Sequence, residues 1–100
     1  MRLSDKQIKA IRAAVARHFP EDTRVFLFGS RTDDEKKGGD IDLLIESSLT
    51  GIPLQEARLK TMGSIQRGIG EQKIDIVTLE TGKKPELSIQ TEAIRTGILL

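Results

Sequence analysis

The sequence predicts an α/β (α+β) fold in which helices flank a small, mixed β-sheet. Three short apolar runs, at residues 24–28, 40–46 and 73–79, have the length and composition of strands. Apolar residues at helical spacing precede the first run, separate the second from the third, and follow the third. The predicted order is helix, strand, strand, helix, strand, helix, and residues 1–100 are expected to form a single domain.

The first helix begins with the spacing of a capping box, since Ser4 is followed three residues later by Gln7. Pro20 ends this helix, and its apolar face comprises Ile8, Ile11, Val15 and Phe19. The only histidine, His18, lies near the C-terminus of the helix, where a cation is favoured. Because no neighbouring residue suggests a partner for base chemistry, His18 is expected to be structural.

The first two strands carry different patterns. Residues 25–28 are all apolar, which is typical of a strand that is buried on both faces. Gly29 ends this strand, and the charged loop at residues 32–39 is expected to be solvated. Alternation in the second strand assigns Ile41, Leu43 and Ile45 to one face, and Asp40, Asp42 and Leu44 to the other. The two aspartates therefore lie on one face at the start of the strand.

A second helix is predicted to run to Gly68 or Gly70, with the apolar stripe Leu54, Ala57, Met62, Ile65 and Ile69. The third strand again carries an acid, Asp75, among β-branched residues. A last helix starting near residue 85 is predicted to carry Leu87, Ala93 and Ile94. This helix and the apolar residues 98–100 are candidate contact surfaces.

The composition argues against several classes of function. The 16 basic and 15 acidic residues leave a net charge of +1, which does not favour an extended nucleic-acid surface. The absence of cysteine removes disulfides and thiolate metal sites, and it is compatible with the cytoplasmic location that we expect. No apolar run approaches the roughly 18 residues of a membrane span, and the first residues form no signal-peptide core.

Three acids and one turn carry the chemical signal. Asp40 and Asp42 are separated by one residue, so their carboxylates lie about 6–7 Å apart along the strand and can bind a hard divalent cation. The turn at Gly29 and Ser30 offers N–H groups and a hydroxyl, which suit phosphate oxygens. If the third strand lies beside the second, Asp75 joins the pair, and one or two Mg²⁺ ions would relieve their repulsion. We therefore predict metal-dependent phosphoryl or nucleotidyl transfer.

The pattern Phe-Gly-Ser-Arg at residues 28–31, then Asp-Ile-Asp-Leu at 40–43 and Ile-Asp-Ile at 74–76, resembles the nucleotidyltransferase superfamily that includes DNA polymerase β. More narrowly, the chain resembles the minimal nucleotidyltransferases, which are antitoxin partners of small helical HEPN-domain toxins. The order of the predicted elements extends this likeness over nearly the whole chain.

The resemblance implies a role for each matching position. The matching residues form a nucleotide-binding group, Gly29, Ser30 and Arg31, and a metal-binding group, Asp40, Asp42 and Asp75. The first group would hold the phosphates of the nucleotide. In the second group, Asp40 and Asp42 would ligate both Mg²⁺ ions, and Asp75 would complete one metal site and help to deprotonate the acceptor hydroxyl. The implied reaction moves AMP from ATP to a hydroxyl side chain of the HEPN toxin, which silences the toxin.

The sequence departs from the family pattern after residue 31, where Thr-Asp-Asp replaces a small residue, Arg and Gly, and at Gly39, where serine is common. Simpler interpretations also remain open. Gly29 and Ser30 could form an ordinary turn, and Arg31 could be a solvated loop charge. Asp40 and Asp42 could lie at the solvated start of a strand, and Asp75 could be an edge residue paired with Lys73 or a nearby arginine.

Three functions are compared. The first is the enzyme described above, and the second is an inert module of the same fold that neutralises its partner by binding alone. An RNA-modifying enzyme is disfavoured by the near-neutral charge. Because the chain has little room for an acceptor-binding domain, a partner protein is expected to bring the acceptor, and a homo-oligomer or hetero-oligomer is possible.

Overall fold

A computed structural model describes residues 1–33, 35 and 39–100 of the chain. Its elements are α1 (Asp5–His18), β1 (Arg24–Phe28), a 3₁₀ turn (Gly29–Thr32), β2 (Ile41–Ser47), α2 (Gly51–Ile69), β3 (Ile74–Glu80), α3 (Ser88–Thr96) and β4 (Ile98–Leu99). The predicted order of helices and strands is confirmed, with β4 added at the end. Part of the predicted solvated loop, residues 34 and 36–38, lies outside the described residues.

The four strands form one mixed sheet in the order β3-β2-β1-β4. β1 runs antiparallel to both β2 and β4, whereas β3 runs parallel to β2. A parallel pair needs a crossover connection, and α2 supplies it between β2 and β3. The predicted α+β class, a small mixed sheet flanked by helices, is therefore confirmed.

One face of the sheet packs against α1 and α2, where most of the core lies. Ile11 and Ile65 from the two helices are fully buried against Ile41, Leu43 and Ile45 of β2. The alternation in the sequence therefore assigned the faces of β2 correctly. At the start of α1, the predicted capping box forms, because the Ser4 hydroxyl accepts from the Gln7 amide and the Gln7 side chain accepts from the Ser4 amide.

The opposite face packs against the short helix α3. Its buried core is small and comprises Phe28, Leu44, Leu79 and Ala93. The last helix starts at Ser88, three residues later than predicted, and the Gln90 side chain accepts the amides of Glu86 and Leu87 before it. Leu87 is 61% exposed and Ile94 is 44% exposed. On the sheet itself, Phe26 and Val77 are only partly buried, so α3 leaves this face partly covered.

The chain end is part of the sheet. β4 pairs with the middle of β1, and the Leu100 amide donates to the Val25 carbonyl over 2.9 Å. Leu99 remains 58% exposed, while Leu100 packs against the main core. Residues 98–100 therefore stabilise the edge of β1, and only Leu99 presents a large apolar surface. Among the described residues, no helix combines the length and apolarity needed to span a lipid bilayer.

Candidate active site

The acids of β2 and β3 occupy neighbouring positions on the partly covered face. Asp42 and Asp75 are direct partners in the parallel register. Adjacent strands lie about 4.8 Å apart, and paired residues project to the same face of the sheet. Asp42 is half-buried and Asp75 is exposed. The predicted meeting of the second and third strands is thus observed, and it brings these two carboxylates together.

The glycine that ends β1 lies directly against Asp42. Gly29 has a φ of +77°, a backbone conformation that residues other than glycine rarely adopt. A Cβ atom at this position would collide with the Asp42 carboxylate. Phe28 pairs with Asp42 across the antiparallel ladder, which fixes this approach. The absence of a side chain at residue 29 therefore lets the turn and the acid share one small space.

A second glycine brings Ser30 to the start of β2. Gly39 has a φ of +94°, and a Cβ atom here would collide with the Ser30 hydroxyl. Asp40 follows Gly39 in the chain and directly precedes β2, so the Ser30 hydroxyl contacts the residue next to this acid. The structure therefore joins the turn at Gly29 and Ser30 to the acids at Asp40 and Asp42.

The electrostatic state of Asp42 reflects this crowding. Burial raises the pKa of the Asp42 carboxyl, and the negative charges of Asp75 and Asp40 raise it further. Lys73 opposes these effects by lowering the pKa of Asp42. The ionised form of Asp42 is therefore less favourable than that of a solvated aspartate, and a bound cation would favour it.

The donor set fits a divalent cation chemically, because it consists of hard carboxylate oxygens around a destabilised charge. The arrangement is not a closed cage. Among the described residues, no group of three acidic or histidine side chains lies close enough to share an ion. Asp40 forms an ion pair with Lys73, with 3.5 Å between Oδ2 and Nζ. Asp42 and Asp75 are thus directly adjacent, while Asp40 is engaged by a lysine. The sequence suggested this lysine as a partner for Asp75 instead.

Arg31 makes contacts within the protein. Its Nη1 donates to the Arg2 carbonyl over 3.0 Å, and its Nε and Nη2 donate to the Gly39 carbonyl and the Gln72 side chain, each over 3.3 Å. Three of the five N–H groups of the guanidinium are therefore used inside the protein. A phosphate contact by Arg31 stays a prediction. Arg2, which the sequence did not single out, packs against the same turn.

The histidine lies away from these acids, at the contact between α1 and α2. His18 Nε2 is 2.7 Å from the Ser64 hydroxyl, which also accepts a hydrogen bond from Arg67. Burial lowers the pKa of His18, and the positive charges of Arg17, Lys60 and Arg67 lower it further. These contacts agree with the structural role predicted for His18.

The comparison with protein families matches this arrangement. The family model described as a nucleotidyltransferase domain covers residues 8–96, which include strands β1 to β3, helix α3 and the aspartates of the site. The chain therefore belongs to the nucleotidyltransferase domain family, whose general activity is nucleotidyl transfer. No curated protein matches the chain significantly.

Proposed function

We propose that the protein transfers AMP from ATP to a hydroxyl group of a partner protein, and that Asp40, Asp42 and Asp75 hold Mg²⁺ for this reaction. One observation carries the proposal. The glycine–serine turn and the two paired aspartates meet at one place on the sheet, with Gly29 directly against Asp42. Nucleotidyl transfer needs two parts. One is a turn that can bind phosphate, and the other is a group of carboxylates that can bind a divalent cation.

In this proposal the turn positions the donor. The Ser30 hydroxyl and the backbone at Gly29 bind the phosphates of ATP. Asp42 and Asp75 would hold Mg²⁺, and Asp40 would join them if its ion pair with Lys73 opened. When bound, Mg²⁺ supplies charge compensation for the phosphates and the leaving pyrophosphate.

The exposed carboxylate acts on the acceptor. Asp75 is the most accessible of the paired acids, since it lies on the edge strand β3. It assists removal of the proton from the acceptor hydroxyl. The acceptor oxygen then forms a bond to the α-phosphorus of ATP, the bond from that phosphorus to the bridging oxygen breaks, and pyrophosphate leaves with its electron pair.

The partner in this proposal is a helical HEPN-domain toxin, which AMP transfer would silence in the cytoplasm. The partly covered face supports protein docking, because Leu87, Ile89 and Ile94 at α3 are each at least 44% exposed. α3 packs on the same face of the sheet as Asp42. A partner bound to α3 would therefore bring its hydroxyl group towards the acids.

A second candidate function is neutralisation by binding alone. The ion pair between Lys73 and Asp40 favours it, because this pair reduces the negative charge available to a metal ion. In that case the protein would keep the fold and the α3 surface, and the toxin would be blocked without modification.

The test is a transfer assay with ATP labelled in the α-phosphate, Mg²⁺ and the product of the adjacent reading frame. We expect label on the partner with the wild-type protein and with Asp22→Asn, an exposed acid in the loop before β1. Asp42→Asn should abolish the label. The second proposal would replace the enzymatic one if the wild type and Asp42→Asn neutralised the toxicity of the partner equally and no label appeared on the partner.

A further inference from the structure

Arg2 joins the segment before α1 to the glycine–serine turn. Its Nε donates to the Asp33 carbonyl over 2.8 Å, and its Nη2 donates to the Ser30 carbonyl over 2.9 Å. The Arg2 amide also donates to the Arg31 carbonyl over 2.8 Å. Arg2 therefore binds the carbonyls of Ser30, Arg31 and Asp33, through its backbone amide and two nitrogens of its guanidinium.

Arg31 returns the contact and extends it to the strands that carry the acids. Its Nη1 donates to the Arg2 carbonyl, so the two arginines hold each other. Its Nε donates to Gly39, immediately before Asp40, and its Nη2 donates to Gln72, three residues before Asp75. The turn, the start of β2 and the approach to β3 are thus tied to a common point.

The turn also has hydrogen bonds of its own. It is a 3₁₀ helix of four residues, in which the Asp33 amide donates to the Ser30 carbonyl over 3.2 Å and the Thr32 hydroxyl donates to the Gly29 carbonyl over 2.7 Å. Such short helices have poor hydrogen-bond geometry. Hydrogen bonds from a charged guanidinium are stronger than neutral ones, and the planar fork fixes the relative position of the two carbonyls it binds.

We propose that Arg2 and Arg31 form an arginine clasp, and that Arg2 is a positioning residue that holds the glycine–serine turn against the acids. Arg2 acts through the carbonyls of Ser30 and Asp33. The inference rests on the proposed function for its effect on nucleotide binding. Its effect on the order of the turn is independent of that function.

The first test measures the turn without any nucleotide. NMR order parameters of residues 29–33 should be near 0.85 in the wild type and should fall below about 0.6 in Arg2→Met. Arg2→Lys keeps the charge but cannot bridge two carbonyls with a planar fork, so it should resemble Arg2→Met. Arg12→Met, which removes an exposed arginine of α1, is the matched control and should leave the turn rigid.

The second test measures binding of ATP and Mg²⁺ by calorimetry with the same variants. We expect the dissociation constant to rise about tenfold in Arg2→Met and in Arg2→Lys, because two charge-assisted bonds are lost. It should be unchanged in Arg12→Met. In the transfer assay, KM for ATP should rise in proportion while kcat changes by less than about twofold, since the acids stay in place.

The two tests separate the clasp from the function. If the wild type does not bind ATP, the proposed function fails, and the order parameters alone decide whether the clasp exists. A turn that stays rigid in Arg2→Met would overturn the clasp. So would full recovery of rigidity and affinity in Arg2→Lys, since charge rather than the fork would then be responsible.

Discussion

Gly29 shows how a single missing side chain shapes the site. Its positive φ and its contact with the Asp42 carboxylate are two separate reasons for glycine at this position. The sequence indicated a turn here, because glycine followed an apolar strand. It could not reveal the contact with Asp42, since that depends on the antiparallel register of β1 and β2.

Substitution of this residue separates the two reasons. Gly82 has a similar φ of +84°, and a Cβ atom there would meet no other atom within 4 Å, so Gly82→Ala should cost only the conformational penalty of about 1–2 kcal/mol. Gly29→Ala should lose more stability and should also lose ATP binding, because its Cβ atom displaces Asp42. Chemical denaturation and calorimetry measure both. Equal losses in the two variants would contradict a tight contact at Asp42.

The arginine contacts lie beyond sequence prediction for a similar reason. Arg2 and Ser30 are far apart in the chain, and nothing in the residue types requires them to meet. Lys73 was visible as a possible partner for an acid, but only the folded structure decides between Asp40 and Asp75. Long flexible side chains choose partners by local geometry, so periodicity and composition do not determine these pairs.

Elements are predicted well where burial sets a pattern. β2 and α1 have clear periodicities, because each has one face in the main core. α3 and β4 are harder to predict. α3 buries mainly Ala93, and β4 contains only two residues, so neither produces a strong apolar repeat. The start of α3 is also set by the Gln90 side chain rather than by a serine or aspartate cap.

The contact between α1 and α2 makes stability depend on pH. Because the pKa of His18 is lowered in the folded state, the unfolded chain binds a proton more readily. Stability is therefore retained above the unfolded pKa of about 6.5 and is lost as the pH falls from there through the folded pKa. Denaturation at a series of pH values should show this loss in the wild type.

His18→Gln supplies the control, since glutamine does not titrate. Just below pH 6.5, the stability of His18→Gln should depend less on pH than the stability of the wild type does. Parallel curves for the wild type and His18→Gln would show that the histidine is already solvated in the folded protein.

At the scale of the whole molecule, the acid cluster is expected to reduce stability. Burial and the negative charges of Asp75 and Asp40 raise the pKa of Asp42, so ionising this carboxyl costs more in the folded protein than in the unfolded chain. Asp42→Asn removes one negative charge with little change in volume, so the metal-free variant should melt at a higher temperature than the wild type. Mg²⁺ should raise the melting temperature of the wild type, because a ligand of the folded state stabilises it.

Thermal unfolding with and without Mg²⁺ measures these shifts. Asp42→Asn should respond weakly to the ion, and Asp22→Asn should behave as the wild type does. A metal-free Asp42→Asn protein that melts below the wild type would mean that Asp42 stabilises the fold through its charge. The proposed cation site would then lose its electrostatic basis.

The parallel pairing of β2 with β3 has a consequence for folding. Asp42 and Asp75 are separated in the chain by the whole of α2, and only closure of this long crossover makes them neighbours. A partly folded chain can form the β1–β2 hairpin with its glycine and serine, yet it still lacks the second half of the acid pair. Any activity that needs both acids should therefore emerge only after this non-local pairing has formed.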